Sequence, residues 1–166
     1  MPTPAYLTIK GKTQGLISAG ALGEESFGNA WQINHKDQIL VQALSHGIYV
    51  PNGAKQGQRM HKPLIITKVI DKSSPLINNA LCNGEPLSVC EVKWYRPSSS
   101  AGLEHFYTME LRNAVITADD LLMPHCQSKE GAHFTQLESV QFAYQDIIWR
   151  HEVAGTSGWD TWEGER

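Results

Sequence analysis

Residues able to do chemistry are present in this chain, but their spacing does not assemble a reactive centre. Seven histidines and three cysteines invite a metal site, and His125, Cys126 and His133 come nearest to one. Zinc ligands arrive as short paired motifs at set separations, and these three do not. They read as surface or turn residues fixed by local hydrogen bonds. A serine or cysteine nucleophile needs a histidine base, an orienting acid and an exposed perch on a sharp strand-to-helix turn. No GxSxG elbow occurs, and AGTSGWD, which includes Gly155 to Asp160, lacks the flanking apolar context. The neighbouring acids Asp119 and Asp120 follow AVITA and read as a turn or as a cap for LLMPH, not as a catalytic carboxylate pair. An enzyme of another type would have to gather groups such as His105, His125 and Asp120 into one concave pocket. The glycines of TIKGKTQG and NGAKQGQR fit neither the phosphate-loop nor the dinucleotide pattern and read as hairpin or bulge glycines. No catalytic residue, cofactor or metal is assigned.

The elements that would carry such residues are mostly strands. In LSVCEVKWY, Cys90, Val92 and Trp94 alternate with Val89, Glu91, Lys93 and Tyr95. HFYTMELRN repeats the period, with His105, Tyr107, Met109 and Leu111 opposite Phe106, Thr108, Glu110 and Arg112. The Ser- and Gly-rich link from Pro97 to Gly102 predicts that these two strands pair as a hairpin. AYLTIK, DQILVQALSHGIYV interrupted at Gly47, KPLIITKVI and FTQLESVQFAYQDIIW extend the β reading. In the last run Val140, Phe142 and Tyr144 share a face. Adjacent Ile147 and Ile148 break the period near Asp146, which predicts a bulge or bend. One helix interrupts the strands at about residues 74–83. Ser74 is expected to cap it, Pro75 sits where its missing N–H costs nothing, and Gly84 suits the exit. Leu76, Ile77, Ala80 and Leu81 make its apolar stripe, which must lie on a sheet because so short a helix does not persist alone.

Composition sets the class. At 166 residues, with no run of linker composition, the chain is expected to form a single domain over 1–166. An extended loop is expected at 51–60 and a polar, Trp-containing tail at 152–166. No stretch is apolar enough to span a bilayer, and MPTPAYLTIK has neither the basic start nor the apolar core of a secretory signal. Folding in the cytoplasm is expected, with any export by a route that accepts folded, signal-less protein. A net charge of −3 with dispersed basic residues argues against nucleic acid as a partner. Cys82 and Cys90 fall in segments read as packed, so free thiols are expected and a disulfide framework is not.

MPTPAYLTIKGKTQG, the strand opening at His61, Lys62 and Pro63, SSPLINNAL, KWYR at Lys93 to Arg96, EHFYT at Glu104 to Thr108, MPHC at Met123 to Cys126, and FTQLESVQFAYQDIIW with GTSGWD occur in order over nearly the whole chain. Together they resemble the haemolysin-coregulated protein (Hcp) family, the tube protein of the bacterial type VI secretion system. The resemblance implies a mainly β, single-domain barrel of two packed antiparallel sheets with the short helix at its side. It implies a structural protein and not an enzyme: a homo-hexameric ring that stacks on other rings into a hollow tube. A trimeric spike caps that tube, a contractile sheath surrounds it, a baseplate nucleates it, and small effector proteins ride in its lumen. The tube starts in the cytoplasm and is propelled from the cell, with no membrane insertion.

The resemblance places 51–60 near the face where rings stack, which makes Asn52, Gly53, Lys55, Gln58 and Arg59 the inter-ring candidates. Glu91, Lys93, Glu110 and Arg112 lie on faces expected to be solvated in one subunit, and line either the lumen or the lateral contact. Trp159 and Trp162 are candidate tail anchors, against which a folded-back tail is the equal alternative. One departure stands out: the family commonly carries a longer acidic or Gly/Pro-containing insertion after the second strand, whereas YVPNGAKQGQRMHKP is compact. The rival function is a monomeric β-barrel binding or adaptor protein without enzymatic activity. An immunity or periplasmic partner of such a system is disfavoured by the missing signal.

Overall fold

The computed structural model describes residues 3–53 and 58–162. In chain order the elements are β1 (Ala5–Gly11), β2 (Gly15–Leu16), α1 (Glu24–Phe27), 3-10 turns at Gly28–Ala30 and Ile33–His35, β3 (Ile39–Val41), β4 (Ala43–Ser45), β5 (Ile48–Tyr49), β6 (Met60–His61) and β7 (Leu64–Val69). Then come α2 (Ser74–Asn83), β8 (Leu87–Pro97), β9 (Leu103–Arg112), β10 (Val115–Leu122), β11 (Leu137–Ala143), β12 (Asp146–His151) and β13 (Thr156–Thr161). The larger sheet runs β13-β12-β9-β8-β1-β2, with β3 also on β1; the smaller runs β10-β11-β7-β4, and β5-β6 is a separate ribbon. The paired strands run antiparallel. The architecture is mainly β, as alternation predicted, and its packed antiparallel sheets form the barrel that the resemblance implied.

Alternation also built the core. Cys90, Val92 and Trp94 stand opposite Leu111, Met109 and Tyr107, so the apolar positions of β8 and β9 meet face to face. From the larger sheet Leu7, Ile9, Val92, Leu111 and Ile147 point inward; from the smaller, Leu64, Ile66, Val140 and Phe142; from α2, Ile77 and Ala80. Burying each large aliphatic or aromatic side chain contributes about 1.5–3 kcal/mol, which is how two sheets and a short helix hold one another.

The helix spans the expected residues, but Ser74 does not cap it. Ser73 is the boundary residue, its N–H donating to Asp71 Oδ1 at 2.8 Å. Ser74 is the first helical residue, and its hydroxyl turns into the protein to donate to Glu138 Oε2 at 2.8 Å. A buried acceptor outcompeted the helix's own free N–H groups. Gly84 does adopt the left-handed exit, at φ 61°.

Three further expectations change, and one is met. DQILVQALSHGIYV is not one strand: β3, β4 and β5 belong to three sheets, and Gln42 is the hinge, its N–H donating to Thr67 O at 2.8 Å. The bend expected near Asp146 is present, as a corner at Tyr144 and Gln145 where the chain leaves the smaller sheet for the larger. Asp119 and Asp120 are inside β10, opposite Val140 and Ser139, and form no turn. Cys82 is exposed at the end of α2, while Cys90 is buried and its thiol is pushed far up by desolvation.

Candidate functional site

Among the described residues the candidates for metal binding and nucleophilic catalysis stay apart. No group of three His, Cys, Asp or Glu is placed to hold a metal ion. His125 Nδ1 accepts the Gln127 N–H at 3.3 Å, and Cys126 is exposed beside it. His105 sits on β9 and donates from Nε2 to Thr108 Oγ1 at 2.7 Å, which donates to Glu152 Oε1 at 2.7 Å. Ser157 and Gly158 lie in β13, an edge strand of the larger sheet, and not on a strand-to-helix turn.

The charged residues that the sequence singled out converge on the outer face of the larger sheet. Register aligns Thr8, Glu91, Glu110, Ile148 and Trp159 in one row across β1, β8, β9, β12 and β13. The next row carries Tyr6, Lys93, Thr108, Arg150 and Ser157. Glu91 and Glu110 therefore oppose each other directly, a like-charge pair that repels. Arg150 resolves it: its guanidinium lies 3.0 Å from Glu110, 3.8 Å from Glu91 and 3.4 Å from Glu152. Lys93 reaches Glu91 at 3.4 Å and Arg112 reaches Glu110 at 3.2 Å. Burial raises the Glu110 carboxyl, but hydrogen bonds from Arg150 and Arg112 outweigh it and hold the group below its ordinary range. All four residues expected on a solvated face share this one. Arg150 was missed, although the parity of DIIWRH, with Ile147 inward, puts it on that face.

Trp159 and Trp162 separate. Trp159 is 73% exposed and, with Arg112, Asp146, Ile148 and Thr161, lines a shallow cleft of about 410 Å³ on the same outer face. Trp162 packs against the core and stacks on His61 with ring centroids 5.2 Å apart. The tail is folded back: β13 pairs with β12 through six residues, from Thr156 opposite His151 to Thr161 opposite Asp146.

The loop rises from the β5–β6 ribbon. Asn52 and Gly53 form a turn with Gly53 at φ 80°, and Lys55 lies outside the described residues. Gln58 is exposed. Arg59 reaches its own chain: Nε donates to Asp160 Oδ2 at 2.6 Å, and the terminal nitrogen donates to Asp160 Oδ1 at 2.7 Å and Thr161 O at 3.0 Å. The loop is thereby tied to β13, and Asp160 is held below the usual carboxylate range, first by the Arg59 hydrogen bond. Asn52 and Gly53 are left at the tip side, and Arg59 at the root.

The described residues thus form a barrel with a charged outer face and an edge strand that carries an exposed tryptophan. A family model described as type VI secretion system effector, Hcp, matches residues 6–151. The chain belongs to the Hcp family. Hcp is a structural family of the type VI secretion system. A major exported protein of Pseudomonas aeruginosa is 49% identical, over 98% of this chain and 96% of that protein. The solved structure of an Hcp protein superposes with a TM-score of 0.91 at 43% identity, covering 99% of this chain and all of the other. The secreted protein Hcp3 from P. aeruginosa superposes at 0.85 with 45% identity, over 98% and 100%.

Proposed function

We propose that this Hcp chain is a single-domain tube subunit: six copies close into a ring, rings stack into a hollow tube, and the tube leaves the cell carrying small effector proteins. It has no catalytic role, and works with a spike, sheath and baseplate. The observation that carries this reading is the family match over residues 6–151, on a fold whose larger sheet gathers Glu91, Lys93, Glu110, Arg112 and Arg150 on its outer face. Ring closure is heterologous, one patch meeting a different patch of the next subunit. The edge strands β13 and β10 suit it because they belong to different sheets and carry exposed Trp159 and exposed Leu121 and Leu122. The outer face of the larger sheet, with Glu91, Lys93, Glu110 and Arg112, then serves as lumen lining or lateral contact. Asn52, Gly53, Lys55 and Gln58 serve the stacking face. The relative named a major exported protein supports delivery outside the cell.

The test is absolute mass by light scattering after size separation, at two concentrations and two salt levels. A particle six times the 18.5 kDa chain that survives dilution is expected. A monomer at every concentration sinks the ring and leaves the monomeric adaptor.

A further inference from the structure

Four side chains join the β5–β6 ribbon to the rest of the barrel. His46 Nε2 lies 2.6 Å from Tyr144 Oη, Tyr144 Oη 2.7 Å from His61 Nδ1, and His61 Nε2 2.7 Å from Asp160 Oδ2. His46 precedes β5, His61 is in β6 opposite Ile48, Tyr144 is at the corner between β11 and β12, and Asp160 is on β13. The His61 side chain is 1% exposed and covered by Trp162.

The chemistry gives this chain a direction. Ionised Asp160 only accepts, so His61 carries its proton on Nε2. With His61 neutral, Nδ1 accepts the Tyr144 O–H, and the Tyr144 oxygen accepts an N–H from His46. Every group is then satisfied with both imidazoles uncharged. One added proton is tolerated, on His46 directly or on His61 after the tyrosine hydrogen turns toward His46. A second is not: both rings would donate to Tyr144, whose own hydrogen would lose its acceptor, and two cations would face each other with ring centroids 6.5 Å apart. The other charged groups here give no relief. Arg59 and Lys62 are cationic, and Asp160 is already engaged by Arg59. Burial, and then the proximity of His61, hold His46 below the ordinary histidine range.

We propose that His46, Tyr144, His61 and Asp160 form a proton-sensitive latch that holds the ribbon and its loop on β13 at neutral pH and releases them in mildly acidic solution. Its consequence rests on the tube reading: with residues 51–60 at the stacking face, acid loosens the contact between rings while leaving each barrel folded. The sign follows from linkage. The docked ribbon binds fewer protons than the free one, so docking is full above the ordinary histidine pKa of about 6.5 and weakens as pH falls, by up to about tenfold per unit for one linked proton.

Backbone hydrogen exchange on the full chain, corrected for intrinsic rates, reads this at the Lys62 N–H, which donates to Gly47 O across the ribbon. From pH 7.5 to 5, protection there is expected to fall about tenfold or more while β8 and β9 keep theirs. His46→Gln keeps an N–H for Tyr144 but cannot gain a proton, and its protection is expected to change by less than about twofold. A flat wild-type profile, or a His46→Gln profile as steep as wild type, overturns the latch. Light scattering on the same samples judges the tube reading separately. A six-copy particle with flat protection removes the latch alone, and a monomer with pH-dependent protection removes the ring alone.

Discussion

Two sets of charges in this protein sit on strands of similar sequence character and have opposite environments. On the outer face of the larger sheet, Glu91, Lys93, Glu110, Arg112 and Arg150 are partly solvated and share partners loosely, at 3.0 to 3.8 Å. Beneath α2, Lys68 is fully buried, and its three N–H groups meet Glu138 Oε2 at 2.6 Å, Ser74 Oγ at 3.0 Å and Asp71 Oδ1 at 3.1 Å. The buried set ties β7, β11 and the start of α2 together; the exposed set ties nothing that the core does not already hold. Charge placed inside is committed to one geometry. Charge placed on the face can be re-paired with another molecule at little cost, which is what an assembly surface or a lumen wall requires.

The largest effect should therefore come from Lys68→Met. It removes one cation and leaves Glu138 and Asp71 buried without it, which costs about 3–5 kcal/mol. Urea unfolding at fixed protein concentration measures the loss. Adding Glu138→Leu should recover much of it, because two apolar groups avoid the stranded charge. A loss below about 1 kcal/mol would mean that the buried set relaxes like a surface pair and would erase the contrast.

Parity in KPLIITKVI placed Lys68 on the same face as Leu64 and Ile66, so its burial was legible, but no periodicity says that an ion pair waits there. Glu138 lies seventy residues away and enters through strand pairing with Lys68. The same limit explains the other misses. The β8–β9 hairpin was legible because a strand pair encodes its register in its own alternation and turn. The break at Gln42 was not, since a strand that changes sheets stays apolar on both sides of the break; at Tyr144–Gln145 the slip of period showed the bend but not the change of sheet. In β10 the register shifts between Ile116 and Ala118, which throws AVITADDLL out of phase and made its two acids look like a turn. On the outer face of the larger sheet, the four charged residues were recoverable from parity alone, whereas Arg59 bonding to Asp160 depended on the tail folding back as β13.

Asp119 lies between the two extremes. It is half-buried near Glu138, its Oδ1 has no partner among the described residues, and desolvation first, then Glu138, raises its carboxyl to about 6. A raised carboxyl pKa means that the folded state holds a proton the unfolded chain has lost, so stability falls as pH rises from about 4 to about 6. Asp119→Asn should remove that dependence and add roughly 1 kcal/mol at pH 7 after solvent screening, with little change at pH 4. Denaturant titrations at the two pH values decide it. A variant destabilised at both would show that the carboxylate accepts a bond worth more than its desolvation.

The smallest effect on folding is expected from Arg150→Ala, although Arg150 has more charged neighbours than Lys68. Its loss leaves Glu91 and Glu110 opposed across β8 and β9, but water reaches both, and Lys93 and Arg112 remain within 3.4 and 3.2 Å of them. The cost should stay under about 1 kcal/mol and shrink as salt screens the pair. The Glu110 carboxyl should move back toward its ordinary range, since the Arg150 hydrogen bond is the leading influence holding it down against burial. Unfolding at low and high salt, with Glu110 followed by NMR, measures both. A salt-insensitive loss as large as that of Lys68→Met would make the outer charges part of the barrel's own framework, leaving them unavailable to the neighbour or passenger that the exposed face was argued to serve.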